Sequence, residues 1–284
     1  MLLSEYVFVP RVDSEEARSE LEAEAHHLFG DFAKNGQVWG EQAWGWVDGS
    51  LRVMCMLPRP DALSPAHHSE WAAETLERVA SLCARAPLWR VLDEGVQAPT
   101  PPEQWHEGPG LFLLTDLFDN TSPVCAGADG EPIPLYLLPV DQRVREALYF
   151  WMTRYKVIDR LWLDSSTLEI EAYREMADPT SALTEQGRRL ARTIESATKL
   201  PTFYYLHRYW GRRVGEEERL CPGCGHAWAV TRRNDERGLA RFDFRCEPCR
   251  LVSQIAPTFE NQRRARIGEW QGAKAAPRRR RTTK

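Results

Sequence analysis

Four cysteines in the last third of the chain constrain its fold more than any other feature. They form two C-x-x-C pairs, Cys221-Pro-Gly-Cys224 and Cys246-Glu-Pro-Cys249, with twenty-one residues between the pairs. Each pair can present two thiolates from one tight turn, and two such turns build a tetrahedral site of four sulfur ligands. The spacing is typical of a zinc ribbon, so we expect Cys221, Cys224, Cys246 and Cys249 to bind one structural Zn²⁺. Four protein ligands close the coordination shell, which favours a binding or scaffolding role over metal catalysis.

Two other uses of these cysteines are open. Iron in a rubredoxin-like site takes the same four thiolates, and the sequence separates the two metals poorly. Disulfides are disfavoured, because the first residues show neither the basic segment nor the long apolar run of a secretion signal. The residues after the two pairs also differ. Gly225 suits a left-handed backbone, whereas Arg250 in that conformation would cost about 1 kcal/mol.

Charge is distributed unevenly along the chain. Residues 1–200 carry 18 Lys and Arg against 32 Asp and Glu, a balance of −14, and residues 201–284 carry 19 against 9, a balance of +10. A basic C-terminal third with a metal ribbon favours a polyanion such as DNA or RNA as partner. The sequence has no run of eighteen apolar residues. We therefore expect no membrane span and a cytoplasmic location.

Hydrophobic periodicity predicts a ferredoxin-like domain over residues 1–95. Its pattern reads strand, helix, strand, strand, helix, strand, which is the order of a split βαβ fold. The first helix is expected to begin at a capping box of Asp13 and Glu16, and the second at Ser64-Pro65. Asp48-Gly49 predicts a type I′ turn between the two middle strands.

Composition divides the remaining chain into four segments. We predict that residues 96–140 form a linker with a β-hairpin, pairing strands at 111–114 and 134–138 across a glycine-rich loop. Residues 141–200 are predicted as a helical segment, because apolar residues recur at spacings of three and four. Residues 201–257 are predicted as the zinc ribbon and residues 258–284 as a basic disordered tail. The predicted fold class is α+β, with a ferredoxin-like domain, a small helical segment and a C-terminal zinc ribbon.

Arginines interleave with aromatic residues around the ribbon, which makes them candidates for nucleic-acid contact. Arginines neutralise phosphates, and aromatic rings stack on bases. The alternative is that these rings pack the ribbon against the helices. The predicted phosphate contacts are Arg208, Arg212, Arg213, Arg232, Arg233 and Arg241, and the predicted stacking platforms are Tyr209 and Trp228.

The same region resembles an uncharacterised bacterial family. The resemblance is carried by Lys199-Leu-Pro-Thr-Phe-Tyr-Tyr-Leu, by Cys221-Pro-x-Cys224-Gly and by Cys246-x-x-Cys249-Arg-Leu-Val-Ser. That family is described as Zn-ribbon-containing proteins with nucleic acid as the candidate ligand. The resemblance covers roughly residues 135–257, and it implies a zinc ribbon and a nucleic-acid partner.

The sequence is compatible with two classes of function. The sequence has no nucleotide-binding loop and no nucleophile motif, so we predict no catalytic residue and a non-enzymatic protein. The first class binds nucleic acid through the basic third. The second is a protein–protein adaptor or inhibitor, with the ribbon and the acidic N-terminal region as docking surfaces. Arginines on one continuous basic face would favour the first class, and arginines paired with nearby acidic residues such as Glu216 would favour the second.

Overall fold

Two β-sheets organise the chain. The structure, a computed structural model, describes residues 1–93, 105–231, 237–259 and 262–272. The predicted phosphate contacts Arg232 and Arg233, and residues 273–284 of the predicted tail, lie outside these ranges. Across the described ranges, no helix combines the length and the apolar character that a membrane span requires.

The first 93 residues form the predicted ferredoxin-like domain. Its sheet has the order β2-β3-β1-β4 and is antiparallel throughout, which is the arrangement of a split βαβ fold. One face of the sheet packs on two helices around a shared apolar core. The elements are β1 (Leu2–Phe8), α1 (Glu15–Lys34), β2 (Trp39–Val47), β3 (Ser50–Leu57), α2 (Glu70–Leu82) and β4 (Leu88–Asp93).

The turn between β2 and β3 has the predicted geometry. Asp48 and Gly49 have φ angles of 48° and 70°, and a type I′ turn requires positive φ at both positions. The resulting register places Trp46 opposite Leu51. This turn therefore aligns the two strands so that their apolar side chains share one face.

The predicted helix starts are wrong by a few residues. Ser14 caps helix α1, since its hydroxyl accepts a hydrogen bond from the Ala17 amide, whereas Asp13 accepts one from the Arg18 guanidinium. Ser64 precedes only a short 3₁₀ turn, and Ser69 caps α2. Several Ser and Asp residues stand near each helix start, and local sequence does not decide which of them folds into the cap.

The second sheet joins segments that are distant in the chain. Its order is β6-β5-β7-β9-β8, with β5 and β9 parallel to the central β7 and with antiparallel pairs at both edges. The segment predicted as a linker thus shares one sheet with the cysteine-rich segment. The strands are β5 (Leu111–Leu113), β6 (Val124–Ala126), β7 (Thr202–Tyr205), β8 (Phe244–Cys246) and β9 (Leu251–Ser253).

The strand predicted at 134–138 is absent. Leu135–Leu137 form a 3₁₀ turn, and the antiparallel partner of β5 is Val124–Ala126, with Cys125 in its centre. A short apolar run next to a proline does not distinguish a strand from a buried turn. Tyr136 in this turn contributes to the N-terminal core, so the run is apolar because it packs between the two units.

Three helices cover the second sheet and confirm the predicted helical segment. Asp141 caps the first helix and Ser181 caps the third through side-chain hydrogen bonds. Their apolar faces and the sheet share one core, which extends from Trp105 to Leu251 and includes Cys221 and Cys246. The helices are α3 (Gln142–Asp164), α4 (Glu169–Ala177) and α5 (Ala182–Thr198).

Candidate metal centre

The four cysteines predicted as metal ligands lie together in space. Their sulfur atoms all lie within 4.8 Å of one another, and the Sγ atoms of Cys224 and Cys246 are 3.6 Å apart. Tetrahedral coordination with metal–sulfur bonds of about 2.3 Å separates the sulfurs by about 3.8 Å. None of the four cysteines forms a disulfide. The cluster therefore has the composition and size of a Cys₄ metal-binding site.

Backbone amides surround the sulfurs on the first turn. The amides of Gly223 and Cys224 donate hydrogen bonds to the Cys221 sulfur, and the amide of His226 donates to the Cys224 sulfur. Such donors favour the thiolate over the thiol, whereas burial acts against it. Burial prevails at Cys221 and raises its pKa, while at Cys224 the His226 amide and the neighbouring thiols prevail and lower the pKa to about 7. Because metal binding requires deprotonated cysteines, this turn suits a ligand role.

The residue that follows each cysteine pair has a left-handed backbone, as expected at Gly225 and in spite of the side chain at Arg250. Gly225 has φ of 75° and Arg250 has φ of 52°. The Arg250 guanidinium donates to Glu195 on α5 and to Glu247, both at 2.9 Å, and lies 5.5 Å from the centre of the Phe203 ring. These contacts offset the steric cost of a side chain at this position.

The two turns approach each other so closely that glycine is required between the first two ligands. A Cβ atom on Gly223 would lie 2.8 Å from the Cys249 sulfur. On the other side of the same turn, a Cβ atom on Gly225 would lie 2.6 Å from the Trp270 ring. The two glycines of the C-P-G-C-G sequence therefore leave room for the second cysteine turn on one side and for the chain after residue 262 on the other.

The second sheet fixes the positions of both turns. Strand β8 ends at Cys246, and β9 begins just after Cys249. The chain that leaves the first turn pairs with β8, because the Arg245 amide donates to the Trp228 carbonyl at 2.7 Å and Ala229 bridges Phe244. The metal centre is thus an integral part of the sheet edge.

Arg208, predicted as a phosphate contact, is buried instead. Its side chain is 2% exposed, and two of its nitrogens donate to the two carboxylate oxygens of Glu216 at 2.9 Å. A third nitrogen donates to the backbone oxygens of Ala265 and Ile267. Burial alone would lower the pKa of Arg208, but the Glu216 carboxylate outweighs it and the pKa is raised. The phosphate assignment for Arg208 is wrong, because this guanidinium is fully used inside the protein.

Trp228 is also buried, so its assignment as a stacking platform is wrong. The residue is 2% exposed, and its ring packs on Phe244 with centroids 5.1 Å apart. Its indole N–H donates to the Arg219 carbonyl at 2.9 Å. The ring and its N–H are therefore both engaged within the chain.

Arg219 is a structural residue that the sequence analysis missed. Its guanidinium carbon lies 4.7 Å from the Trp228 ring centre and 4.1 Å from that of Phe244, and it donates to the Ser253 hydroxyl at 2.7 Å. Burial, together with the neighbouring Arg208 charge, lowers the pKa of Arg219 to about 9. The sequence signal was the i, i+3 spacing from Glu216, whose carboxylate lies 3.4 Å away.

The other predicted nucleic-acid residues divide into paired and exposed ones. Arg212 makes two hydrogen bonds to the Glu269 carboxylate, at 2.6 and 2.8 Å. Tyr209 is half-buried against Trp162. Within the described ranges, Arg213 and Arg241 are exposed and make no ion pair.

Solved structures resemble part of the chain only distantly. The Rv0793 protein of Mycobacterium tuberculosis has 18% identity to this chain and a TM-score of 0.28, and the alignment covers 34% of this chain and 97% of that one. A structure described as an antibiotic biosynthesis monooxygenase has 11% identity and a TM-score of 0.28, over 34% of this chain and 100% of that one.

Three domains of unknown function match successive parts of the chain. They are DUF8589 over residues 1–93, DUF2310 over residues 106–207 and DUF8594 over residues 211–259. Two Haemophilus influenzae relatives, each named only as an uncharacterized protein, match as well. One is 29% identical over 79% of this chain and 87% of its own length. The other is 35% identical over 52% of this chain and 71% of its own length. The chain therefore belongs to the same uncharacterised family as these Haemophilus influenzae proteins.

Proposed function

We propose that the four cysteines bind one structural Zn²⁺ and that the chain is a non-enzymatic docking protein, whose C-terminal part this ion keeps rigid. Four thiolates fill a tetrahedral shell and leave no open position for a substrate, which supports a structural role. Zinc is the common ion for such a closed set of cysteines.

One observation carries the choice of a protein partner over nucleic acid. Several described arginines of the C-terminal third are neutralised by carboxylates of the same chain: Arg208 by Glu216, Arg212 by Glu269 and Arg250 by Glu195. An arginine whose charge is already neutralised by a carboxylate contributes little to the binding of a phosphate. Exposed apolar residues occur on the same segments, as Val214, Leu220 and Phe259 are 88%, 42% and 39% exposed. Such residues suit a protein partner better than a polyanion.

Nucleic-acid binding is the second candidate, and a different observation favours it. Residues 201–284 carry a net charge of +10, and Arg213 and Arg241 are exposed without an ion pair in the described ranges. In this alternative, the two exposed arginines and the basic residues after 273 would neutralise phosphates together.

Elemental analysis of the purified protein tests the metal. We expect one zinc per chain, and we expect Cys221→Ser to lose it. Cys125→Ser is the matched control, because Cys125 is a buried thiol in the same sheet but outside the cluster. One iron per chain would mean that the ion is iron rather than zinc, and the structural role proposed for the site would be unchanged. Neither metal at a stoichiometric level would contradict the proposal.

Salt-dependent binding to single- and double-stranded DNA and RNA separates the two functions. We expect a variant lacking residues 273–284 to bind none of them at about 50 mM salt. The second candidate is favoured if this variant does bind nucleic acid and if the further changes Arg213→Gln and Arg241→Gln lower the slope of log affinity against log salt concentration by about 2. Arg189→Gln on α5 is the control, since Arg189 already faces Glu185 at 3.9 Å.

A further inference from the structure

A large cleft lies between the N-terminal domain and the second unit, away from the metal centre. Its volume is about 900 Å³, which falls within the range of small-molecule sites. One wall is formed by α1 and the start of β2, and the other by α3 and the loop at residues 117–123. A cleft of this size between two packed units is a common place for a ligand.

The walls of the cleft are largely apolar. Phe29, Trp39 and Leu117 line it, as does Met152 on α3. Val157, on the same wall, is 57% exposed. Phe29 and Trp39 are already buried, so a ligand would remove apolar surface from water mainly at Leu117, Met152 and Val157. Such burial is the main source of affinity for small molecules in sites of this kind.

Two cations on α3 lie in the same wall without partners. Lys156 and Arg160 are one helical turn apart, and both line the cleft. Neither makes an ion pair within the part of the chain that the structure describes. Partial burial lowers the pKa of Lys156, although the Asp119 and Asp116 carboxylates act in the opposite direction. A bound anion would therefore relieve the cost of keeping this ammonium charged.

The acidic groups near the cleft are few or otherwise engaged. Asp116 accepts hydrogen bonds from the amides of Phe118 and Asp119, and Asp119 accepts from the Thr121 amide and hydroxyl. Glu41 is exposed on the wall that α1 and β2 form, as is His26, whose ring stacks on Trp44. These carboxylates stay charged, and those of Asp116 and Asp119 act on Lys156 from nearby, so they partly offset the positive charge that α3 presents to the cleft, although none of them forms an ion pair with Lys156 or Arg160 in the described part of the chain.

We propose that this cleft binds a small organic carboxylate with an apolar aromatic or aliphatic body. The carboxylate would pair with Lys156 and Arg160 on α3, and the apolar body would cover Leu117, Met152 and Val157. This site does not involve the cysteines, so its test is independent of the tests of the metal and of the docking function.

Isothermal titration calorimetry on the full-length, metal-loaded protein tests the site with defined probes. We use 2-naphthoate and octanoate as carboxylates, each compared with its neutral amide. At least one carboxylate should bind one per chain and roughly tenfold more tightly than its amide, which is the effect of one charge-assisted pair. Lys156→Gln should remove most of this preference and leave amide binding unchanged. Arg160→Gln provides a second test should the first variant fold poorly.

Arg154→Gln is the matched control for the charge of α3. Arg154 lies on the same helix, is exposed and bonds to Gln186 rather than lining the cleft. It should leave the affinity of the carboxylate unchanged. The proposal is overturned if neither carboxylate binds saturably up to about 5 mM, or if Arg154→Gln weakens binding as much as Lys156→Gln does.

Discussion

His207 holds an imidazole in surroundings that disfavour its charged form. The rings of Trp162 and Tyr173 lie 4.9 and 5.7 Å from it, and its Nε2 atom is buried without a hydrogen-bond partner among the described residues. Burial lowers the pKa of His207 to about 4, with the Asp116 carboxylate acting in the opposite direction. The neutral ring is therefore part of the folded state.

Acid should destabilise the protein partly through His207. An unfolded histidine titrates near 6.5, so the unfolded state binds more protons than the folded state between pH 6.5 and about 4. Stability should fall over that window by about 3 kcal/mol from this group alone. Denaturant unfolding of the wild type and of His207→Phe at pH 7 and pH 4.5 measures it. The metal centre titrates in both proteins, so only the difference between their pH slopes is informative. Equal slopes would show that His207 is charged or exposed when folded.

At the scale of elements, helix α5 packs unusually closely on strand β7. Gly187 lies in the helix where it crosses Tyr204, and a Cβ atom there would stand 2.2 Å from the tyrosine ring and 2.9 Å from the Trp151 indole nitrogen. Tyr204 and Trp151 are both fully buried, so neither ring has free space to move into. The glycine therefore sets the distance between the helix and the sheet that carries the cysteines.

Gly187→Ala should destabilise the second unit although alanine is the better helix former. The propensity gain is about 1 kcal/mol, and overpacking a buried contact costs about 1–3 kcal/mol. Because the added Cβ atom would lie only 2.2 Å from the tyrosine ring, we expect the cost of overpacking to exceed the gain in helix propensity. Gly30→Ala in α1 is the matched control, because a Cβ atom there meets nothing within 4 Å and should stabilise the protein. Thermal unfolding of both variants measures the contrast, and a Gly187→Ala protein as stable as Gly30→Ala would contradict this packing.

Elements with local signals were predictable from the sequence, and those without were not. The Asp48-Gly49 turn and the C-x-x-C spacing are encoded within a few residues, and both are confirmed in the structure. The pairing of β5 with β7 joins residues ninety-one positions apart, and no local pattern reports such a contact. The role of Arg208 was missed for the same reason, because its burial depends on Glu216 and on backbone beyond residue 264.

At the scale of the whole molecule, the apolar core of the N-terminal domain is separate from the core that contains two of the four cysteines. The N-terminal domain has its own core, to which Tyr136 is added from the second unit. The second core includes Cys221 and Cys246 together with Leu111, Leu148 and Tyr204. Polar contacts such as Arg145 to Asn35, at 2.8 Å, join the two units at their boundary. A disturbance at the cysteines should therefore spread through one core and stop at this boundary.

Metal removal should loosen the second sheet as a whole, including strands far from the cysteines in sequence. Cys221→Ser should reduce the hydrogen-exchange protection of β7, β8 and β9, and also of β5, since β5 pairs directly with β7. Strands β1 to β4 should keep their protection. Cys55→Ser is the reciprocal control, because Cys55 is buried in the N-terminal core. It should lower protection in β1 to β4 while the metal content stays unchanged. Loss of protection confined to residues after 220 would mean that the cysteine turns are an appendage, whereas loss throughout β1 to β4 would mean that the two cores unfold as one.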